Sequence, residues 1–134
     1  GRLREAGISF GAHSRTHPRL PTLTSPELEE EVGEASSDMQ HHLGERPQGF
    51  CYPYGAVNER VASVAGKYYA WACTTDFRPI APRGSPAILP RIDAWYFQSA
   101  GRFAQWGTAR FRAWIWARRQ GRQVRSVMRR LGTS

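Results

Sequence analysis

Apolar and polar positions alternate in a way that divides the chain into short segments of changing type. Leu28, Val32, Ala35, Met39 and Leu43 recur at helical spacing behind Thr24-Ser25-Pro26-Glu27, whose Thr-x-x-Glu form and early proline mark a helix start. Glu27, Glu29, Glu30 and Glu31 suit the positive end of that helix, and Gly44 stops it. Asn58 is placed to cap a second, shorter helix carrying Val61, Val64 and Ala65 as far as Gly66. Residues 8–12, 48–52, 68–75 and 87–92 are short runs rich in β-formers and bounded by Gly, Pro or Asx, and each predicts a strand. The first of these, read as buried, delivers His13 at its C-terminal end. Residues 1–7 read as a helix entered midway with Gly7 as its stop. Pro79, Pro82, Gly84 and Pro86 make residues 76–86 a loop.

The order strand, helix, strand, helix, strand predicts an α/β fold of parallel βα units, either a barrel segment or an open doubly wound sheet. From about Phe103 the pattern changes. Phe111, Trp114, Ile115, Val124, Val127, Met128 and Leu131 recur among arginines, with Gly121 interrupting, which predicts a basic amphipathic helix or helix pair. The expected division is 1–95 for the α/β part and 96–134 for the basic helical tail.

At 134 residues and 40% hydrophobic content the chain is the size of one ordinary domain. Its net charge of +8 raises nucleic acid, anionic membrane and acidic polymer as partner classes. Position narrows this, because no acidic residue follows Asp93 while Arg102, Arg110, Arg112, Arg118, Arg119, Arg122, Arg125, Arg129 and Arg130 all do. The excess belongs to the tail, whose arginines interleave with Trp106, Phe111, Trp114 and Trp116. Two readings stand for it: a helix packed on the α/β part with a solvated basic face, or a surface for anionic lipid or nucleic acid phosphate. No apolar run approaches the roughly 20 residues needed to span a bilayer. Cys51 and Cys73 show neither metal-knuckle spacing nor a disulfide framework. The absence of an initiator Met and the half-entered first helix suggest a fragment.

His13 and His17 are four apart, so if the segment turns helically both imidazoles share one side and a divalent cation. Alone, such a pair more often marks two separately satisfied polar residues. The continuation changes the reading. His13-Ser14-Arg15-Thr16-His17-Pro18 followed by Phe50-Cys51-Tyr52-Pro53-Tyr54-Gly55 resembles the polysaccharide deacetylases with a NodB-homology domain, carbohydrate esterase family four. The resemblance runs from Ala6 to about Asp93 and leaves out the basic tail.

The resemblance implies part of a deformed (β/α) barrel of the NodB-homology type, carrying a hydrolase that removes N- or O-acetyl groups from an acetylated glycan with one divalent metal ion, zinc by preference. Cobalt, nickel or manganese suit the same ligands. It assigns His13 and His17 as metal ligands, Ser14 as their support, the Phe50, Tyr52, Pro53 and Tyr54 segment as a wall of the substrate groove, and the Tyr54 backbone N–H as an oxyanion donor. A packed turn aromatic is the other reading of Tyr54. Arg91 and Asp76 are weaker catalytic candidates, each equally readable as a strand-end surface residue and a loop cap. Departures matter too. The family's paired aspartates, one a base and one the third ligand, would precede this chain; Cys51 stands where an arginine is common; and Leu89-Pro90-Arg91-Ile92-Asp93 holds no histidine for a general acid. His41 and His42 lie near a helix end and suit solvent. An inactive carbohydrate-binding remnant is therefore the alternative function. No specific nucleic acid is expected, weak contact of the tail with an anionic membrane is, and by family analogy the location is the cell envelope or outside, or the cytoplasm for small precursors.

Overall fold

The computed structural model describes residues 2–131, and all their side chains except that of Arg4 and those of residues 123–131. The tail side chains of Val124, Arg125, Val127, Met128, Arg129, Arg130 and Leu131 thus lie outside the described residues. The fold is a mix of helix and parallel sheet, divided into one unit of residues 1–75 and 81–89 and another of residues 76–80 and 90–134. No helix among the described residues is long and apolar enough to cross a membrane.

In the first unit, a short helix α1 (Arg2–Glu5) ends before Gly7 as its stop signal predicts. The Glu27 carboxylate accepts the Thr24 N–H at 2.8 Å and the Thr24 hydroxyl at 2.7 Å, which fixes the start of α2 (Ser25–Glu29). The chain then widens through a π turn (Glu30–Glu34) and resumes as α3 (Ala35–Leu43), so the single predicted helix is built in three pieces. Gly33 lies in that π turn, where an added Cβ would stand 2.6 Å from Cζ of Tyr68. An alanine there would have to push the outer end of the Tyr68 ring aside.

Two strands pair in parallel, β1 (Gly49–Cys51) and β2 (Trp71–Cys73), with Gly49 opposite Trp71, Phe50 opposite Ala72 and Cys51 opposite Cys73. Helix α4 (Glu59–Tyr68) crosses between them, begun by Asn58, whose Oδ1 accepts the Val61 N–H at 2.9 Å. Ala12 joins Phe50 and Leu89 joins Cys73 through single parallel bridges. Four parallel segments therefore lie side by side in chain order, as the βα reading predicts.

Three predicted strands are shorter than expected. Residues 8–11 form no ladder, and Ile8 and Phe10 are 48% and 37% exposed, so the segment is not the buried strand its composition suggests. Ladder bonds reach it only at Ala12, whose N–H donates to Gly49 C=O and whose C=O accepts from Cys51 N–H, both at 2.9 Å. Residues 68–75 give up their first positions to α4, because Tyr69 N–H continues the helix to Ala65 C=O while the Tyr68 and Tyr69 hydroxyls donate to Glu29 and to Val32 C=O. Residues 87–92 contribute only Leu89, since Pro86–Ile88 turn as a 3₁₀ segment capped by Ser85. β-propensity yields wherever the helix hydrogen bonds or a proline turn are already made.

The core of this unit gathers Leu20, Leu28, Val32, Val61 and Ala65 around Phe50, all without solvent access. Each large apolar side chain so buried contributes about 1.5–3 kcal/mol. The Phe50 ring lies 4.9 Å from that of Tyr69 and 5.4 Å from that of Tyr52.

The second unit consists of a 3₁₀ turn (Ala94–Phe97) begun by Asp93, a short helix α5 (Ala100–Phe103) and a long helix α6 (Ala109–Leu131). Gly121 does not break α6, so of the two tail forms a single helix is realised. Phe77, Phe111 and Ile115 are buried together, with Ile92, Tyr96, Phe97 and Trp114 packed against them.

Candidate functional site

The two sequence motifs meet at the C-terminal ends of adjacent parallel segments, where α/β folds commonly place their chemistry. Cys51, the last residue of β1, ties them together. Its N–H donates to Ala12 C=O at 2.9 Å, and its C=O accepts the His13 Nδ1–H at 2.6 Å. A carbonyl oxygen only accepts, so Nδ1 carries a proton, which leaves Nε2 as the ring nitrogen able to offer a lone pair.

His17 Nε2 stands 3.1 Å from His13 Nε2, the rings meeting edge to face with centroids 4.7 Å apart. The expected convergence of the pair is therefore present, but a helical turn does not produce it. Ser14 and His17 both adopt left-handed backbone, at φ 61° and 62°, and residues 13–17 form a loop. Positive φ is uncommon outside glycine and costs of order 1–3 kcal/mol, so the loop must be held by its surroundings.

Glu31 supplies much of that hold. Its carboxylate accepts the Arg15 N–H and the Thr16 N–H, each at 2.9 Å, the Thr16 hydroxyl at 2.6 Å, and a bond from the Ser14 hydroxyl. Desolvation pushes the Glu31 pKa upward, but these four donors outweigh it and hold the group below the ordinary carboxylate value. Ser14 Oγ in turn accepts the His17 N–H at 3.0 Å. Glu30, Glu34 and Asp38, spaced as one helical stripe, receive the Arg15 guanidinium at 3.1, 2.6 and 2.9 Å. These exposed pairs add orientation more than stability.

Tyr54 completes the surface. It too is left-handed, at φ 59°, and the residue is 57% exposed, its ring edge to face with His17 at 4.7 Å and under the Arg19 guanidinium at 5.1 Å. Gly55 follows at φ 66°, and an added Cβ there would stand 2.2 Å from the Thr75 hydroxyl oxygen and 2.8 Å from its backbone nitrogen. Three left-handed non-glycine residues, Ser14, His17 and Tyr54, are thus gathered within one exposed site, where backbone strain commonly serves function.

Phe50, Tyr52 and Pro53 are buried, whereas Tyr54, which follows them, is exposed. The Tyr52 hydroxyl donates to Ala87 C=O at 2.6 Å, and burial, with a smaller Coulombic contribution from Cys73, pushes its pKa up to about 12. Asp76 and Arg91 belong to the second unit, where Arg91 N–H donates to Asp76 C=O at 3.0 Å and the Asp76 carboxylate lies 3.5 Å from the Arg78 guanidinium. His41 and His42 meet edge to face at the end of α3. Glu31 and Arg19 are the members of the site that the sequence reading did not single out. A signal for the loop's anchorage was present in the stripe Glu30, Glu34 and Asp38 facing a motif that carries Arg15.

Two bonds of about 2.05 Å from tetrahedral zinc to imidazole nitrogen span roughly 3.3 Å between the nitrogens. The 3.1 Å between His13 Nε2 and His17 Nε2, with the first nitrogen's tautomer already set, therefore fits a divalent cation. Among the described residues no group of three or more His, Cys, Asp and Glu gathers at one point, so the pair is as much of a ligand set as they hold.

Comparison with known proteins identifies a family over the segment that carries these residues. The polysaccharide deacetylase family matches residues 1–70, which contain His13, His17, Glu31 and Tyr54. Chitin deacetylase 1 of Cryptococcus neoformans var. grubii is 32% identical over 75 residues, covering 53% of this chain and 16% of that protein. Among solved structures, a polysaccharide deacetylase of Bacillus cereus superposes with a TM-score of 0.61 at 27% identity, over 68% of this chain and 29% of the other. A Streptococcus pyogenes deacetylase in complex with acetate superposes with a TM-score of 0.65 at 22% identity, over 68% and 41%, and speaks for the fold alone. The chain spans less than half the length of each of these relatives. With a family match over more than half of its residues, the chain belongs to the polysaccharide deacetylase family.

Proposed function

We propose that this chain forms part of the active site of a hydrolase that removes acetyl groups from an N- or O-acetylated glycan, on a partial deformed (β/α) barrel. The convergence of His13 Nε2 and His17 Nε2 to 3.1 Å carries the reading. These two nitrogens would hold a divalent cation, zinc by preference, with Ser14 and Glu31 holding the loop between them. When bound, such a cation supplies polarisation of an acetyl carbonyl and a lowered water pKa.

The chain's own residues orient and stabilise. Cys51 C=O keeps the His13 proton on Nδ1, and the Tyr54 backbone N–H, at the head of its left-handed turn, is the donor for the oxygen that gains charge as the acetyl carbon becomes tetrahedral. The exposed Tyr54 ring and the Arg19 guanidinium stacked on it offer a flat, polar-edged surface for a sugar ring. No paired aspartates occur in the sequence, and the described residues gather no third ligand beside His13 and His17. The same observation favours a second reading, in which the chain binds an acetylated glycan without turnover.

Acetate release from fully acetylated chitin oligosaccharides, by the longest natural chain that contains these residues, separates the two readings. Activity that disappears in both His13→Ala and His17→Ala supports the hydrolase. Activity retained in the double variant overturns the metal assignment.

A further inference from the structure

Charge is unevenly divided between the two units. The unit of residues 1–75 and 81–89 holds eight basic and nine acidic residues, a net −1, whereas that of residues 76–80 and 90–134 holds eleven arginines and two aspartates, a net +9. The basic unit also carries an open apolar cleft of about 400 Å³, walled by Pro79, Ile80, Ile92, Phe97, Phe111 and Ile115. Ile80 is 64% exposed on its wall, and Trp106, another lining residue, is 59% exposed. Phe103, 67% exposed, stands with Trp106 against Phe97, at centroid distances of 6.1 and 5.4 Å.

Helix α6 continues this rim. Phe111 and Ile115 face inward, so Arg112, Trp116 and Arg119, spaced i, i+4 and i+7, form one outward stripe beside them. Arg112 lines the cleft itself, its guanidinium donating to Gly107 C=O at 2.8 Å, and Trp116 is 64% exposed. Arg102 and Arg118 stack on Trp114, 4.2 and 5.6 Å from its ring centroid, which keeps further cations beside the aromatic cluster.

We propose that this unit docks on an anionic lipid bilayer, with Phe103, Trp106 and Trp116 seated at the headgroup level, Arg112 and Arg119 on lipid phosphates, and the cleft open to acyl chain. Charge complementarity selects an anionic surface. The aromatic rim and the aliphatic cleft select a lipid one, because amphipathic rings favour the membrane interface and aliphatic walls favour hydrocarbon. A glycan or a nucleic acid fits less well, since among the described residues no acidic or amide side chain lines the cleft to meet sugar hydroxyls or base edges.

The test is co-sedimentation of the full 134-residue chain with vesicles of 30% phosphatidylglycerol in phosphatidylcholine and of phosphatidylcholine alone, with tryptophan quenching by brominated acyl chains. Expected are binding to the anionic vesicles, bromine quenching, and affinity lowered more than about tenfold by Arg112→Glu with Arg119→Glu. Trp106→Ser with Trp116→Ser is expected to remove the quenching while far-UV circular dichroism stays unchanged. Equal binding to both vesicle types overturns the proposal, as does binding without quenching that heparin competes away, which would mark a general polyanion surface. Unchanged binding in the arginine double variant, or none by the parent chain, overturns it too. None of these outcomes depends on the deacetylase reading.

Discussion

Glu31 grips Thr16 with both oxygens of its carboxylate, Oε2 taking the backbone N–H at 2.9 Å and Oε1 the hydroxyl at 2.6 Å. With the bonds from Arg15 and Ser14, this clamps the loop whose left-handed turns at Ser14 and His17 bring the two imidazoles together. Residues that orient metal ligands from behind typically cost 10–100-fold in affinity when removed, by about as much as the ligand's own freedom then permits. Glu31→Ala is therefore expected to weaken cation binding about 10- to 100-fold while leaving the helical circular dichroism signal intact. Zinc titration against a chromophoric chelator measures the first, and Glu31→Gln, which keeps part of the hydrogen bonding, is expected to fall between.

Gly55 has two reasons to be glycine. Its φ of 66° and the 2.8 Å approach of a built Cβ to the Thr75 backbone nitrogen act together, and backbone cannot move aside as a flexible side chain does. Gly55→Ala is expected to destabilise the fold by more than about 2 kcal/mol, adding positive-φ strain to a steric clash. Urea denaturation read by tryptophan fluorescence checks this.

The sequence drew attention to His13, His17 and Tyr54 through two motifs taken together, since the spacing of the histidines alone favoured two separately satisfied residues. The way His13 and His17 converge was not legible. Four-residue spacing suggested a helical turn, whereas the structure uses two left-handed residues stabilised by a carboxylate 15 residues away from Thr16. Glu31 read as one of several acids suiting a helix start, since a one-dimensional pattern does not say which solvent-facing acid meets a loop. Both helices behind Thr24 and Asn58 were legible through their caps and periodicity. The strand limits were not, because Tyr68 and Tyr69, strong β-formers, are claimed by α4 and by hydroxyl bonds to Glu29 and Val32. The burial of Phe50 and Tyr52 beside an exposed Tyr54 was not legible either, because the motif that names all three does not say which of them reach solvent.

Stability should fall at both ends of the pH scale, for opposite reasons. Glu27 is held below the usual carboxylate value by the Thr24 hydroxyl and N–H, Glu29 by Lys67 and Tyr68, and Glu31 by its loop donors against its own desolvation. A depressed folded pKa stabilises above the unfolded value, here 4.5, and that stability is lost as pH falls below it. The buried Tyr52 hydroxyl is raised from 10.0 to about 12, so its contribution is present below pH 10 and lost as pH rises through this window. Thermal unfolding between pH 3 and 12 is expected to show both flanks, with the alkaline one reduced in Tyr52→Phe.

Ser36, on α3, is 1% exposed, and its hydroxyl finds no hydrogen-bond partner among the described residues. A buried hydroxyl without a partner costs about 1–3 kcal/mol of desolvation. Ser36→Ala removes it with little change in volume, and the melting temperature is expected to hold or rise by a few degrees. A clear fall would mean that the hydroxyl is satisfied in solution.

The central claim is that His13 and His17 hold one divalent cation between their Nε2 atoms, and calorimetric zinc titration of the full 134-residue chain at neutral pH tests it most directly. The account predicts one zinc per chain, with binding abolished in His13→Ala and in His17→Ala and retained in the paired control His41→Ala with His42→Ala. Zinc binding that is absent from the parent chain, or that survives unchanged when both His13 and His17 are replaced, would contradict it.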